Sequence, residues 1–195
     1  MSLPSPLAQS EPMPMPDGPV AGWAALLALG ARVGDALAAR GETVAVAESS
    51  AGGLVSAALL ARAGASAYYL GGAVVYTRRA VRRLTALTPA DTVGIRSSSL
   101  PWARLLARHQ RQRFRATWAI AETGAAGPDG NPYGDPPGHA CLAVAGPVEA
   151  DRMLRTGDGD RAANMLAFAC AALALLEEAL TAAPPANRTL ADPPR

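Results

Sequence analysis

The sequence predicts an α/β protein: a three-layer α/β/α sandwich around a mixed, mostly parallel sheet of about five strands. Two observations carry this. Segments with apolar residues at helical spacing alternate with short continuous apolar runs, the pattern of buried strands joined by helices. The last two strand-like runs follow one another with no helix between them, which makes the sheet mixed rather than purely parallel. The size agrees, since 195 residues at 50% hydrophobic content suit one globular domain with a sizeable core.

Each element has its own signal. Trp23, Leu26, Leu27, Val33 and Leu37 recur at helical spacing, so residues 23–40 form an amphipathic helix closed by Gly41. Residues 43–49, Thr-Val-Ala-Val-Ala-Glu-Ser, read as a buried strand, and residues 51–63 as a second helix. Residues 72–77 are a strand, and 78 to about 86 a helix. Three serines precede Pro101; Ser99 is the expected N-cap and Pro101 lies in the first turn of a helix reaching about residue 113. Residues 116–123 form a strand, and 124–138, with five Gly and four Pro, a long loop. Strands at 139–146 and 150–156 follow, then a helix over about 160–181. The core domain is therefore 21–182, between a flexible Pro-rich tail (1–20) and a second flexible tail (183–195).

Composition excludes several chemistries. All 18 basic residues are arginine, so no lysine base, Schiff base or P-loop lysine exists. A GC-rich genome also produces such a composition. Two cysteines exclude a disulfide framework and a four-cysteine zinc site, and two distant histidines argue against a metal centre. A formal charge of +2 gives no support to a polyanion partner. The arginines at 78, 79, 82, 83, 104, 108, 111, 113 and 115 could form a basic face, but few aromatics accompany them, and a solvated helix face without nucleic acid is the expectation. No clean apolar run of about 18 residues is visible, so no membrane span is expected; residues 165–180 come nearest but contain Glu177 and Glu178. The N-terminus lacks a secretory signal, which points to the cytoplasm and reduced cysteines.

Three segments carry candidate chemistry. In Glu48-Ser49-Ser50-Ala51-Gly52-Gly53 a strand ends in a Ser-rich turn before a helix. Ser49 there could be a nucleophile, with an oxyanion met by backbone donors of the turn, or an ordinary N-cap. Thr123-Gly124-Ala125-Ala126-Gly127-Pro128-Asp129-Gly130 leaves the C-terminal end of a strand, where open α/β sheets bind ligands; it could equally be a solvent loop. Before the last helix, Asp158 or Asp160 can cap and Arg161 can reach an anion.

Taken together these segments resemble the C-terminal domain of the CinA (competence/damage-inducible) family, in order and spacing over roughly residues 23–181. The family's A-E-S-C-T-G-G reads Ala47-Glu48-Ser49-Ser50-Ala51-Gly52-Gly53 here, and its tyrosine-ending strand closes on Tyr76-Thr77. Its S/T-G-I-A-G-P-D-G reads Thr123 to Gly130, its V-G-T reads Pro137-Gly138-His139, and its G-D-R is matched by Thr156 to Arg161. The family's molybdopterin-binding-like domain has no counterpart, so a stand-alone member is expected. The resemblance implies a serine–lysine amidohydrolase of pyridine-nucleotide salvage, converting nicotinamide mononucleotide and water to nicotinate mononucleotide and ammonia, with no metal or cofactor and acting as a homodimer. Ser49 matches the nucleophile, Tyr76 a tyrosine of the site and Thr123 the Ser/Thr of the Gly-rich motif. Ser50, Gly52, Gly53, Gly124, Gly127 and Arg161 are then the expected substrate contacts. In the family a lysine follows the tyrosine by five positions; here that position is Val81. Arginine cannot replace it as base. Glu122 and His139 stand where the family has an apolar residue and a threonine, and either could be a substitute base. Two other readings follow from Val81: a non-catalytic nucleotide-binding protein, or a hydrolase with altered base and substrate.

Overall fold

The computed structural model describes residues 19–184, with side chains from Gly22; the two expected tails lie essentially outside this range. In chain order the elements are α1 (Pro19–Arg40), β1 (Val44–Glu48), α2 (Leu54–Leu60), β2 (Tyr69–Val74), α3 (Arg78–Leu84), α4 (Leu100–Phe114), β3 (Trp118–Ala125), β4 (His139–Ala145), β5 (Ala150–Arg155) and α5 (Arg161–Ala182). The sheet order is β2-β1-β3-β4-β5. Strand β1 pairs parallel with β2 and β3, whereas β4 pairs antiparallel with β3 and β5. Four strands thus share one direction and β4 opposes them, so the sheet is mixed as its adjacent last strands require.

Strand alternation divides the interior. Val44, Val46, Trp118, Ile120, Leu142 and Val144 face one way and bury against α1, α2 and α5. Ala47, Ala121, Cys141 and Ala143 face the other way, against Trp102, Ala103, Leu106 and Ala107 of α4 and Val81 of α3. This gives the third layer. Ser99 caps α4 by accepting from Trp102 N, and Asp160 caps α5 by accepting from Ala162 N and Ala163 N.

Two of the boundaries that differ from the sequence reading have a local cause. Helix α2 begins at Leu54 rather than residue 51, because Gly52 and Gly53 sit at φ +68° and +102° and delay the helix. Strand β2 starts at Tyr69, where its Gly-Gly pair hides the strand pattern. The segments Gly22–Arg40 and Arg161–Ala182 do meet the length and apolarity of a membrane-crossing helix, contrary to the sequence expectation. Alanine-rich helices that bury a broad face pass that test: α5 buries Phe168, Leu173, Leu175 and Leu176 against the sheet and α1.

Candidate active site

Strands β1 and β3 run side by side in register Ala47↔Ala121 and carry the same pattern near their C-terminal ends, Ala47-Glu48-Ser49 and Ala121-Glu122-Thr123. Side chains alternate across a strand, so the two acids fall on one face and the two hydroxyl residues on the other. The structure follows that parity. Ser49 and Thr123 line a cavity of about 450 Å³ on the α3/α4 side of the sheet. Glu48 and Glu122 lie behind it, fully buried.

The acids serve the backbone. Glu48 accepts from Gly53 N (2.9 Å), Val55 N (3.0 Å), Ser56 N (3.0 Å) and Ser56 Oγ (2.6 Å). The free N–H groups expected at the start of α2 are therefore taken by an internal carboxylate. Glu122 accepts from Ser49 N and Ala51 N (both 2.9 Å) and from the Ser50 hydroxyl. Burial raises the Glu122 carboxyl above its ordinary range, against the lowering effect of these donors. Gly52 N and Leu54 N close turns onto Ser49 O and Ala51 O. Among the described residues, Ser50 is then the one position from 49 to 57 whose N–H has no acceptor. It directly follows Ser49, where a serine nucleophile finds its first oxyanion donor.

Of the residues expected from sequence, Ser49, Tyr76, Thr123 and Gly124 line the cavity. Neither the Ser49 nor the Thr123 hydroxyl has a protein partner among the described residues. Gly124 must be glycine, because a Cβ there would enter the His139 carbonyl and lie 2.9 Å from Ala140 Cα. The other expected contacts support the cavity from outside. Ser50 and Glu122 hold the turn. Gly52 presses on Met165, whose terminal carbon would lie 2.6 Å from an added Cβ, and Gly53 feeds Glu48. Gly127 offers its carbonyl to Arg161 Nη1 (2.7 Å), while Arg161 Nη2 donates to the Tyr76 hydroxyl (3.1 Å) and stacks 5.7 Å from its ring. Arg161 thus braces Tyr76 instead of lining the cavity.

The two candidate substitute bases are both engaged by other partners. Glu122 spends both oxygens on the turn. His139 is buried behind the cavity wall, its Nε2 3.0 Å from the Ser98 carbonyl and 3.7 Å from Asp135 Oδ1. Its Nδ1 has no partner among the described residues. It fastens the Ser98 segment, whose φ is +54°, to β4. Beside it, burial pushes the Cys141 thiol up to about 11.

Arg78 and Arg82 from α3, read from the sequence as part of a solvated basic face, complete the wall together with residues that the sequence reading left out: Ser97 and Ser98 before α4, and Asn131 and Tyr133 from the long loop. The i, i+4 spacing of Arg78 and Arg82, with apolar Val81 turned inward, was the available signal. Val81 itself lines the cavity, 7% exposed. Arg78 Nη2 donates to the Tyr133 hydroxyl (3.2 Å), and Asn131 and Arg96 both bind Asp135, which shapes the loop. Arg104 and Arg108, part of the supposed basic face, pair with Asp151 and Glu149.

A hydroxyl presented after a parallel strand, at the C-terminal edge of an open sheet, defines an α/β protein with its site at the strand ends. The chain belongs to the CinA family: the CinA C-terminal domain matches residues 27–180. A CinA-like protein of Anaeromyxobacter dehalogenans (strain 2CP-C) is 40% identical over 144 residues, covering 74% of this chain and 35% of that protein. One from Prochlorococcus marinus (strain MIT 9313) is 42% identical over 117 residues, 60% of this chain and 27% of that protein. The chain therefore spans about a third of the length of these curated relatives. A crystal structure of a competence-damaged protein (CinA) superfamily protein from Klebsiella pneumoniae superposes with a TM-score of 0.74 at 30% identity, covering 80% of this chain and 98% of the other. That of a competence/damage inducible protein from Agrobacterium tumefaciens gives 0.73 at 31%, over 80% and 96%.

Proposed function

We propose that this chain is a serine amidohydrolase acting on the carboxamide of a phosphorylated pyridine nucleotide, with nicotinamide mononucleotide as the reference substrate. The observation that carries the reading is a Ser49 hydroxyl that lines the cavity without a protein partner among the described residues, followed directly in the chain by Ser50, whose N–H has no acceptor among them. Ser49 Oγ attacks the carboxamide carbon and its proton passes to a base. The Ser50 N–H supports the oxyanion. The C–N bond breaks, ammonia leaves with the proton, and water then releases the carboxylate from Ser49. Arg82 lines the cavity with no protein partner among the described residues and supplies charge for a phosphate. The free, buried Cys141 and Cys170 suit a reducing compartment, the cytoplasm.

The test is ammonia release from nicotinamide mononucleotide, abolished in Ser49→Ala. Folded wild-type protein without turnover overturns the reading. One observation favours a second reading, a nucleotide-binding protein without turnover: apolar Val81 occupies the cavity wall at the position where the resemblance places the family's lysine. It predicts that nicotinamide mononucleotide raises the melting temperature while no ammonia forms.

A further inference from the structure

The amidohydrolase reading leaves one proton without a destination. Ser49 needs an acceptor at neutral pH, and the chain has no lysine. The titratable groups that line the cavity are Tyr76, Arg78, Arg82 and Tyr133. Arginine keeps its proton above about pH 12 and cannot serve. Glu122 is bound to the turn on the opposite face of β3, and His139 is buried behind Ser98. Two phenols remain.

Their surroundings differ. Tyr76 is 58% exposed and meets one guanidinium, that of Arg161, which is itself held by the Gly127 carbonyl. Tyr133 meets two. Arg78 donates to its hydroxyl at 3.2 Å from α3, and Arg96 lies 5.5 Å over its ring from the segment before α4. Asp135, on the same loop as Tyr133, is occupied by Arg96 and Asn131 and leaves the phenol to the cations. Arg82, on the same wall and without a protein partner among the described residues, adds positive charge.

We propose that the Tyr133 phenolate is the proton acceptor for Ser49, in place of the lysine missing at position 81. Resting on the amidohydrolase reading, the step balances without any further reactant. Tyr133 O⁻ takes the Ser49 proton as the Oγ–C bond forms, and the phenol returns it to the departing nitrogen as the C–N bond breaks. In deacylation the phenolate takes a proton from water and gives it back to Ser49. The guanidiniums provide the physical reason, since nearby positive charge favours the anionic phenolate. The Ser97 hydroxyl and the Arg78 guanidinium hold the Tyr133 phenol below its ordinary value.

The test uses the full chain and nicotinamide mononucleotide, measuring kcat and KM against pH for wild type, Tyr133→Phe, Tyr76→Phe and Arg78→Gln. A base must be unprotonated to act, so kcat rises with pH through the Tyr133 titration. Tyr133→Phe lowers kcat at least about 100-fold and leaves KM within about threefold. Arg78→Gln removes a neighbouring cation and moves the rising limb to higher pH, a change that loss of packing does not produce. Melting within about 3 °C of wild type establishes that Tyr133→Phe is folded. The assignment is overturned by wild-type kcat in Tyr133→Phe, by a limb that stays in place in Arg78→Gln, or by a limb that vanishes in Tyr76→Phe instead. In those cases the wild type still releases ammonia and the amidohydrolase reading survives. A wild type that releases none overturns both.

Discussion

Replacing Glu122 separates a scaffold from a base. The carboxylate accepts three hydrogen bonds, two from the backbone N–H groups flanking Ser50 and one from the Ser50 hydroxyl. In Glu122→Gln the amide oxygen can keep both N–H groups, while the amide NH₂ donates to the Ser50 hydroxyl, which accepts as well as donates. All partners stay satisfied, and stability at neutral pH changes by less than about 1 kcal/mol. Glu122→Ala strands two buried N–H groups and a hydroxyl and opens a cavity. At about 1–3 kcal/mol for each of the three stranded groups, this costs at least about 3 kcal/mol, or at least about 6 °C in melting temperature for a domain of this size. The pH dependence has a definite sign. Burial raises the folded carboxyl above its unfolded value, so the contribution of Glu122 is fully present below the unfolded value and is lost as pH rises through the folded one. Wild type therefore loses stability relative to Glu122→Gln as pH climbs above about 4.5. Thermal melts of the three proteins from acid to neutral pH check this, with kcat alongside. A scaffold role keeps kcat of Glu122→Gln within about tenfold, whereas a base costs about 100-fold or more. A Glu122→Gln protein that melts like wild type but loses activity 100-fold or more would refute the argument.

Three further outcomes are expected. Gly124→Ala drives a methyl into the β4 backbone and costs at least about 3 kcal/mol, seen as a lowered denaturation midpoint with unchanged m-value. Cys141, buried and pushed up to about 11, resists a thiol reagent at pH 8 in the native protein and reacts once denaturant is added; mass spectrometry counts the adducts. Arg161→Ala frees Tyr76 and the Gly127 carbonyl, and raises KM several-fold while changing the melting temperature by less than about 3 °C.

The sheet and its helices were legible because their signals are local. Val44-Ala-Val-Ala at β1, the serine and proline opening α4, and the adjacent β4 and β5 each needed only a few residues. That Ser49, Thr123 and Gly124 line the cavity was legible because strand ends carry ligands in such sheets, while Tyr76 came only through the resemblance to the family. The work of Glu48 and Glu122 was not. It depends on the register of β1 against β3, which decides the face each residue takes, and a single sequence does not print register. The surroundings of Gly52 were equally hidden: the space beside it is filled by Met165 of α5, which the sequence places more than a hundred residues away. Tyr133 was hidden in a long loop whose course is set by Asp135, Asn131 and Arg96, residues brought together only by the fold.

The tie from β3 to the serine turn also fixes how the site can come apart. The N–H groups of Ser49 and Ala51 end on a carboxylate rooted in a strand that is paired on both edges. Their acceptor stays in place as long as β3 is paired, so their amide hydrogens exchange with solvent through the slower openings that lift the turn off Glu122. Ser50, between them, is buried but has no hydrogen bond to break among the described residues, so its amide exchanges faster than its two neighbours. Two slow amides around a fast one are the isotope signature of a turn that is rigid everywhere except at the single N–H it offers to a guest.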